Sequence, residues 1–495
     1  MRRFLAVAMM MAAGCAETPS GNSPSAAHGP AIVANPASVP ANGSVPGAEQ
    51  AVSLKRGSAF SYHPTVMPDR VVLTWCGDPA RSQAVTWRTD AAVEMGLAEL
   101  AVADDDGQFA RRARQIKATS TKLTIRSAIV RCHSARFEAL SPGTKYAYRV
   151  GDGRNWTEWF HFITAEDTAR PFSFLYFGDA QEERKSLWPR VIREACREAP
   201  KARFLLHAGD LVNSATSDEE WGDWFQGAGW LNAMTPNVPT PGNHEYAFSP
   251  NSAVPVLTEH WRNQFTLPEN GPPGLEESTY FLDYQGVRIV SLNSNEKLVE
   301  QASWLDRILE SNPCRWTIVA FHHPIYSAAR SRDNALLRKL WQPVFDKHRV
   351  DLALQGHDHS YARTGLVRGS GGVGDEKNLP SGVTARDASS GTVYVVSVSG
   401  PKMYDMDRPV RSEFRRVAED VQLFQIITVD GDELHFVAKT ATGTDYDGFT
   451  LRKRAGMPNE LIEQAPSLPP RLRASHPPIN SAPPRPPAGT APAVK

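Results

Sequence analysis

A chain of 495 residues is too long for one ordinary domain, so two domains plus tails is the expected organisation. Its 54 Lys+Arg balance 54 Asp+Glu to a formal net charge of +0, and no basic excess supports nucleic-acid binding. From the N-terminus, Arg2 and Arg3 precede an apolar run over 4–13 with small residues after it, the pattern of a bacterial export signal over 1–15. The run is too short to span a bilayer as a mature helix. Ala12-Ala13-Gly14-Cys15 resembles a lipobox, with Ala12 where such motifs usually carry Leu. The expectation is therefore an exported protein. It is either a periplasmic species or an outer-membrane or cell-surface lipoprotein, with Cys15 as its lipid anchor to the membrane.

Residues 16–60 are rich in Ala, Pro, Ser and Gly, cannot bury enough apolar surface to fold, and read as a disordered tether. Between 66 and 166 short β-rich runs follow, at 71–75, 84–87 and 123–125, then the alternation of Tyr146, Tyr148 and Val150, then Phe160 and Phe162. Period-2 strands between turn signals predict a β-sandwich. Leu140-Ser141-Pro142-Gly143-Thr144-Lys145-Tyr146 resembles the turn-into-strand segment of fibronectin type III modules, with Tyr146 as a structural corner. Cys76 and Cys132 fall in this stretch, where a disulfide and buried free thiols are equal alternatives.

From 171 to 452 the rhythm changes. Apolar strands are expected at 172–177, 204–206, 288–292, 316–321, 351–354 and 392–398, and an amphipathic helix at 188–199. Leu305, Ile308 and Leu309, then Leu336, Leu337, Leu340 and Trp341, mark further helices. A hairpin closes the domain, with strands at 423–429 and 434–437 around Asp430-Gly431-Asp432. The predicted fold class is an N-terminal β-sandwich followed by a layered α/β sandwich with mixed sheets and disordered tails. Proline pairs mark residues 457–495 as the C-terminal tail.

Five short blocks carry the chemistry: Gly178-Asp179-Ala180-Gln181, Gly209-Asp210-Leu211, Gly242-Asn243-His244-Glu245, His322-His323-Pro324 and Gly356-His357-Asp358-His359. Each follows an apolar run that reads as a strand. Repeated delivery of such groups at strand ends is how an open α/β sheet builds a site along one edge. One Gly-Asp is ordinarily a turn; five blocks in this order are not coincidence. Two cations about 3.5–4 Å apart need a bridging carboxylate and further ligands. Asp179 and Asp210 offer carboxylates, Asn243 an uncharged carbonyl oxygen, and His322, His357 and His359 imidazoles. That set suits Fe, Mn or Zn, and no thiolate is offered.

The order GDxQ, GDL, GNHE, HxP, GHxH resembles the calcineurin-like metallophosphoesterases. With the sandwich in front, over roughly 68–450, it is most similar to the purple acid phosphatase group. The resemblance implies first-site ligands Asp179, Asp210 and His359, and second-site ligands Asp210 (bridging), Asn243, His322 and His357. It also implies that His244 is the catalytic residue that contacts the phosphate or protonates the leaving group. His323 and Arg363 are candidate substrate-binding residues, with a salt bridge holding the loop as the favoured reading of Arg363. Glu245 and Asp358 are expected to orient histidines, and Tyr246, Tyr326 and Trp230 either line the pocket or pack in the core.

Two positions depart from the family pattern. Asn213 stands where purple relatives carry the tyrosinate that colours their iron, and Gln181 stands where many others carry a histidine. The protein is therefore expected not to be purple, with Gln181 or Asn213 touching the first metal or its water. The implied activity is phosphoric ester hydrolysis, with metal-activated hydroxide attacking a small phosphorylated substrate. A phosphomonoesterase is expected. A phosphodiesterase or nucleotidase on the same site is the near alternative, and a surface binding protein with a vestigial esterase site is the distant one.

Overall fold

The computed structural model describes residues 62–126, 128–369, 391–464 and 468–474. The expected export signal, Cys15 and the tether lie outside the described residues. Eight strands form the N-terminal β-sandwich, in two antiparallel four-stranded sheets. One runs Asp69–Thr74, Gln83–Asp90, Ala128–Phe137, Thr119–Ile125; the other runs Arg114–Lys117, Leu97–Val102, Lys145–Gly151, Phe160–Ile163. Their inner faces bury Val85, Trp87, Leu100, Phe137, Tyr148 and Phe162 between them. Tyr146 is the corner that the sequence indicates: its hydroxyl accepts the Ser141 N–H at 2.9 Å. Cys76 and Cys132 are both free thiols, and Cys132 packs with Leu123, Ile125 and Val130.

The second domain is four layers deep. One seven-stranded sheet has the order Asn237–Pro239, Leu205–His207, Phe172–Phe177, Leu423–Asp430, Glu433–Thr440, Asp445–Arg454, Met457–Glu463. The other has the order Tyr280–Tyr284, Val287–Ser291, Trp316–Phe321, Leu352–Gln355, Thr392–Val396, Tyr361–Val367, Phe414–Ala418. Alternation along the buried strands assigns their faces. Ile318, Ala320, Leu352, Leu354, Val393 and Val395 point into the core shared by the two sheets. Val319, Phe321, Ala353 and Tyr394 point outward against helices Leu298–Glu310 and Ala335–His348. Helix Trp188–Glu198 covers the first sheet through Trp188, Val191, Ile192 and Ala195, a 3.6-residue stripe.

Helix Asp218–Ala228 begins at Ser217, whose hydroxyl caps Glu220 N, with three acids in the first turn. The sandwich docks on this side. Arg70 and Arg88 grip Asp218 at 2.8 and 2.9 Å, and the Tyr148 hydroxyl donates to Ala233 O at 2.6 Å.

The C-terminal boundary needs correction. The domain does not stop at 452, because Met457–Glu463 continues the first sheet antiparallel to Asp445–Arg454. Pro458 does not prevent this, since an edge strand leaves one side of its backbone free of ladder bonds. Residues 468–474 are also held: Arg471 forms a bridge with Ala418, and Arg473 pairs with Asp405 and Asp420.

Candidate metal centre

Register brings the five blocks together. Phe177, His207 and Pro239 lie level across three parallel strands, so Asp179, Asp210 and Asn243 leave the same edge. In the second sheet Phe321 is paired with Gln355, which places His322 and His357 at the corresponding edge. The turns are tight. Gly209 has φ +90°, and a Cβ there would press on Gly242 N and His322 Nδ1; a Cβ on Gly356 would collide with Asp179. Asp210 (φ +52°) and His357 (φ +70°) themselves adopt left-handed backbone.

The side chains form two overlapping groups, Asp179–Asp210–His359 and Asp210–His322–His357. Backbone carbonyls set the imidazole tautomers. His322 Nδ1 donates to Ala208 O, and His359 Nδ1 donates to Lys402 O, both at 2.9 Å. The other nitrogen of each ring therefore turns a lone pair inward. His322 Nε2 faces Asp210 Oδ2, Asn243 Oδ1 and His357 Nδ1, each at 3.1 Å. His359 Nε2 faces Asp179 Oδ2 at 3.1 Å. Asp179 Oδ2 is buried and accepts no hydrogen bond. The buried point where His322, His357, Asn243 and Asp210 meet as acceptors fits a cation, and the donor set suits borderline metals.

In the metal-free protein a proton substitutes. Burial opposes charge on His322, but Asp210 and Asp179 outweigh it and push the imidazole up to about 9. Burial raises the Asp179 carboxyl, and His322 and His359 more than offset this, holding it down to about 2. Burial and the neighbouring His322 keep His357 far below the ordinary imidazole range.

Gln181 is brought into this group and Asn213 only to its border. Gln181 Nε2 lies 3.2 Å from Asp210 Oδ2 and 2.8 Å from His359 Nε2, while its Oε1 is buried without a partner. Exchanging the two amide atoms would aim that oxygen at the first group. Asn213 acts through its backbone, its carbonyl accepting from His244 Nδ1 at 2.6 Å. His244 thus holds its ring with Nε2 3.9 Å from Asp210 Oδ2 and 28% of the side chain exposed. His323 is anchored by Ser294, Nδ1 to Oγ at 2.8 Å, with its ring 4.2 Å from that of His357.

One pair of alternatives is decided by the structure and two expectations are corrected. Arg363 is directed away from the site: both arms of its buried guanidinium hold Asp447 and Glu463, the salt-bridge reading. Glu245 orients no histidine. It accepts the N–H groups of Asp210, Leu211 and Gly242 at 2.9, 2.9 and 2.7 Å. Burial, with the Asp210 charge beside it, pushes its carboxyl up to about 8 against the pull of those donors. Asp358 accepts from Ser327 and pairs with Arg332. Tyr326 is core, Tyr246 donates to Glu296, and Trp230 is exposed. Arg332 and Tyr404 complete the mouth and belong to none of the five blocks.

Residues 172–361 match the calcineurin-like phosphoesterase family, and residues 68–164 match the purple acid phosphatase N-terminal domain. An uncharacterised protein of Mycobacterium tuberculosis is 27% identical over 314 residues, 55% of this chain and 58% of that protein. Purple acid phosphatase of Glycine max is 24% identical over 316 residues, 59% of this chain and 66% of that one. The chain thus spans under two thirds of the length of these relatives. The yellow lupin (Lupinus luteus) purple acid phosphatase has the same fold, with a TM-score of 0.63 at 18% identity over 78% of this chain and 74% of that chain.

Proposed function

We propose that this chain, a calcineurin-like phosphoesterase carrying a purple acid phosphatase N-terminal domain, is a dinuclear-metal phosphoric ester hydrolase acting on phosphomonoesters. The observation that supports this most is the buried point where His322, His357, Asn243 and Asp210 turn only acceptors towards one another. Asp179, Asp210 and His359 would hold one ion, and Asp210, Asn243, His322 and His357 the other. Such ions, when bound, lower the pKa of water to supply a nucleophile and neutralise phosphoryl charge.

The chain's own residues do the rest. His244 keeps one N–H on Asn213 O and presents Nε2 at the half-open side of the site, where a proton can pass to the leaving oxygen. Glu245 locks the backbone that carries Asp210, so the bridging carboxylate is placed before substrate arrives.

The test is hydrolysis of p-nitrophenyl phosphate against bis-p-nitrophenyl phosphate, with Mn, Zn or Fe and with metal analysis of the same samples. A preference for the monoester supports the proposal, and a preference for the diester supports the phosphodiesterase alternative. Inertness toward both in a metal-replete sample defeats hydrolysis altogether and favours a binding protein.

His244→Ala is expected to reduce turnover by about 10²-fold or more with metal content unchanged. The backbone N–H of residue 244 still holds Asp210 Oδ1, at 2.9 Å. Metal loss in this variant would contradict the assigned role.

Metal uptake is expected to release a proton. His322 must lose its proton to become a ligand, so apparent affinity rises with pH up to about 9. The expected slope is about tenfold per pH unit for each proton displaced. Titration calorimetry in buffers of differing ionisation enthalpy reads the proton count. The metal-free protein should change in the other direction. A folded-state pKa raised from 6.5 to about 9 stabilises fully below 6.5, and this contribution is lost as pH rises through 9.

A further inference from the structure

Arg332 lies in the segment between strand Trp316–Phe321 and helix Ala335–His348, just after Ser331 at φ +58°. Its guanidinium is held on three sides. Nε is 3.1 Å from Asp358 Oδ1, Cζ lies 4.9 Å from the centre of the Tyr404 ring, and Nη2 abuts His357 Nε2. Tyr404 in turn packs against His359, ring centres 4.5 Å apart and planes tilted by 35°. The fourth side is open, with 29% of the Arg332 side chain exposed. Asp358, its carboxylate partner, is itself buried. A fixed cation therefore sits against His357, near His323, and reaches the His359 ring only through Tyr404.

One of these contacts is not a hydrogen bond. His357 aims Nδ1 at the point shared with His322. A lone pair at Nδ1 leaves the ring proton on Nε2, so two N–H groups, from Arg332 and His357, face each other, and a cation at that point would fix this tautomer. The arm must move away from Nε2, whereas the Asp358 and Tyr404 contacts are unaffected and keep the guanidinium at the mouth. A displaced donor pair next to the centre needs oxygen acceptors. A planar guanidinium matches two oxygens of one phosphoryl group.

We propose that Arg332 is the residue that grips the phosphoryl oxygens of the substrate and makes the site prefer a dianionic monoester to a monoanionic diester. A diester has only two unesterified oxygens to divide between the centre and the fork, where a monoester has three, and it carries one charge less. This inference rests on the phosphoester-hydrolase reading above and adds its substrate class.

The test compares wild-type, Arg332→Ala and Arg332→Lys proteins, all metal-replete with metal content measured. Inorganic phosphate is the probe, its binding measured by calorimetry and its inhibition against both p-nitrophenyl esters. Arg332→Ala should weaken phosphate binding and raise KM for the monoester by roughly 10–100-fold, the scale of a lost charge-assisted pair. The diester should change far less. Arg332→Lys should recover part of the loss, since it keeps charge without the fork. Unchanged phosphate affinity, or equal losses on both esters, overturns the proposal. If wild-type protein cleaves neither ester, the hydrolase reading fails, yet phosphate calorimetry still reports on the Arg332 contact.

Discussion

Asp210→Asn is expected to remove activity by about 10⁴-fold or more, the scale seen when one member of a unit acting together is lost. It should also lower metal content at both positions, not at one. Asp210 is the only side chain common to the two candidate groups among the described residues. Its oxygens have separate tasks. Oδ1 accepts the His244 N–H at 2.9 Å, and Oδ2 lies 3.1 Å from His322 Nε2 and 3.2 Å from Gln181 Nε2. An amide must place its NH2 at one of them. Towards His244 it meets another donor; towards the centre it offers hydrogens where a shared lone pair is required. Either orientation also removes the negative charge that would be shared by two bound cations. Substitution at Asp179 or His322 should affect one group more than the other, so metal content distinguishes bridge from terminal ligand. A variant at position 210 that keeps two ions per chain and near-normal kcat/KM would overturn the bridging role.

The legible part of this site is the part that lies at strand ends. Asp179, Asp210, Asn243, His322, His357 and His359 each follow a short apolar run, and parallel register makes those ends level. Local pattern therefore carried long-range geometry. What escaped the sequence depends on tertiary contacts with no local signature. Arg332 is one of many arginines until the fold lays it across Tyr404, some 70 residues on. For Arg363 the sequence favours a salt bridge without showing its partners. Its partners, Asp447 and Glu463, lie in strands of the other sheet, one of which the proline pattern had hidden. A carboxylate beside a histidine, as at Glu245, suggests ring orientation, whereas here its oxygens are matched to backbone N–H groups.

Glu245→Ala is accordingly expected to act on stability before chemistry. Three buried backbone donors, on Asp210, Leu211 and Gly242, end on one carboxylate. Truncation leaves all three without an acceptor in a place closed to water. Each such donor costs ~1–3 kcal/mol, and the sum should lower Tm on the order of 10 °C. Asp210 sits at φ +52°, which a non-glycine residue holds only while its surroundings require it. Releasing its N–H lets the turn relax, and the bridging carboxylate moves with it. Glu245→Gln separates the two effects. One amide oxygen can accept two of the three N–H groups, and the NH2 must face the third, so its Tm should fall between those of wild type and Glu245→Ala. Thermal melts should be recorded with and without added metal, because binding to the folded state alone raises Tm by mass action. If the turn has relaxed, metal should raise the Tm of Glu245→Ala less than that of wild type. A variant with wild-type Tm in both conditions would mean that the three N–H groups find other acceptors, and the clamp would not be what places Asp210.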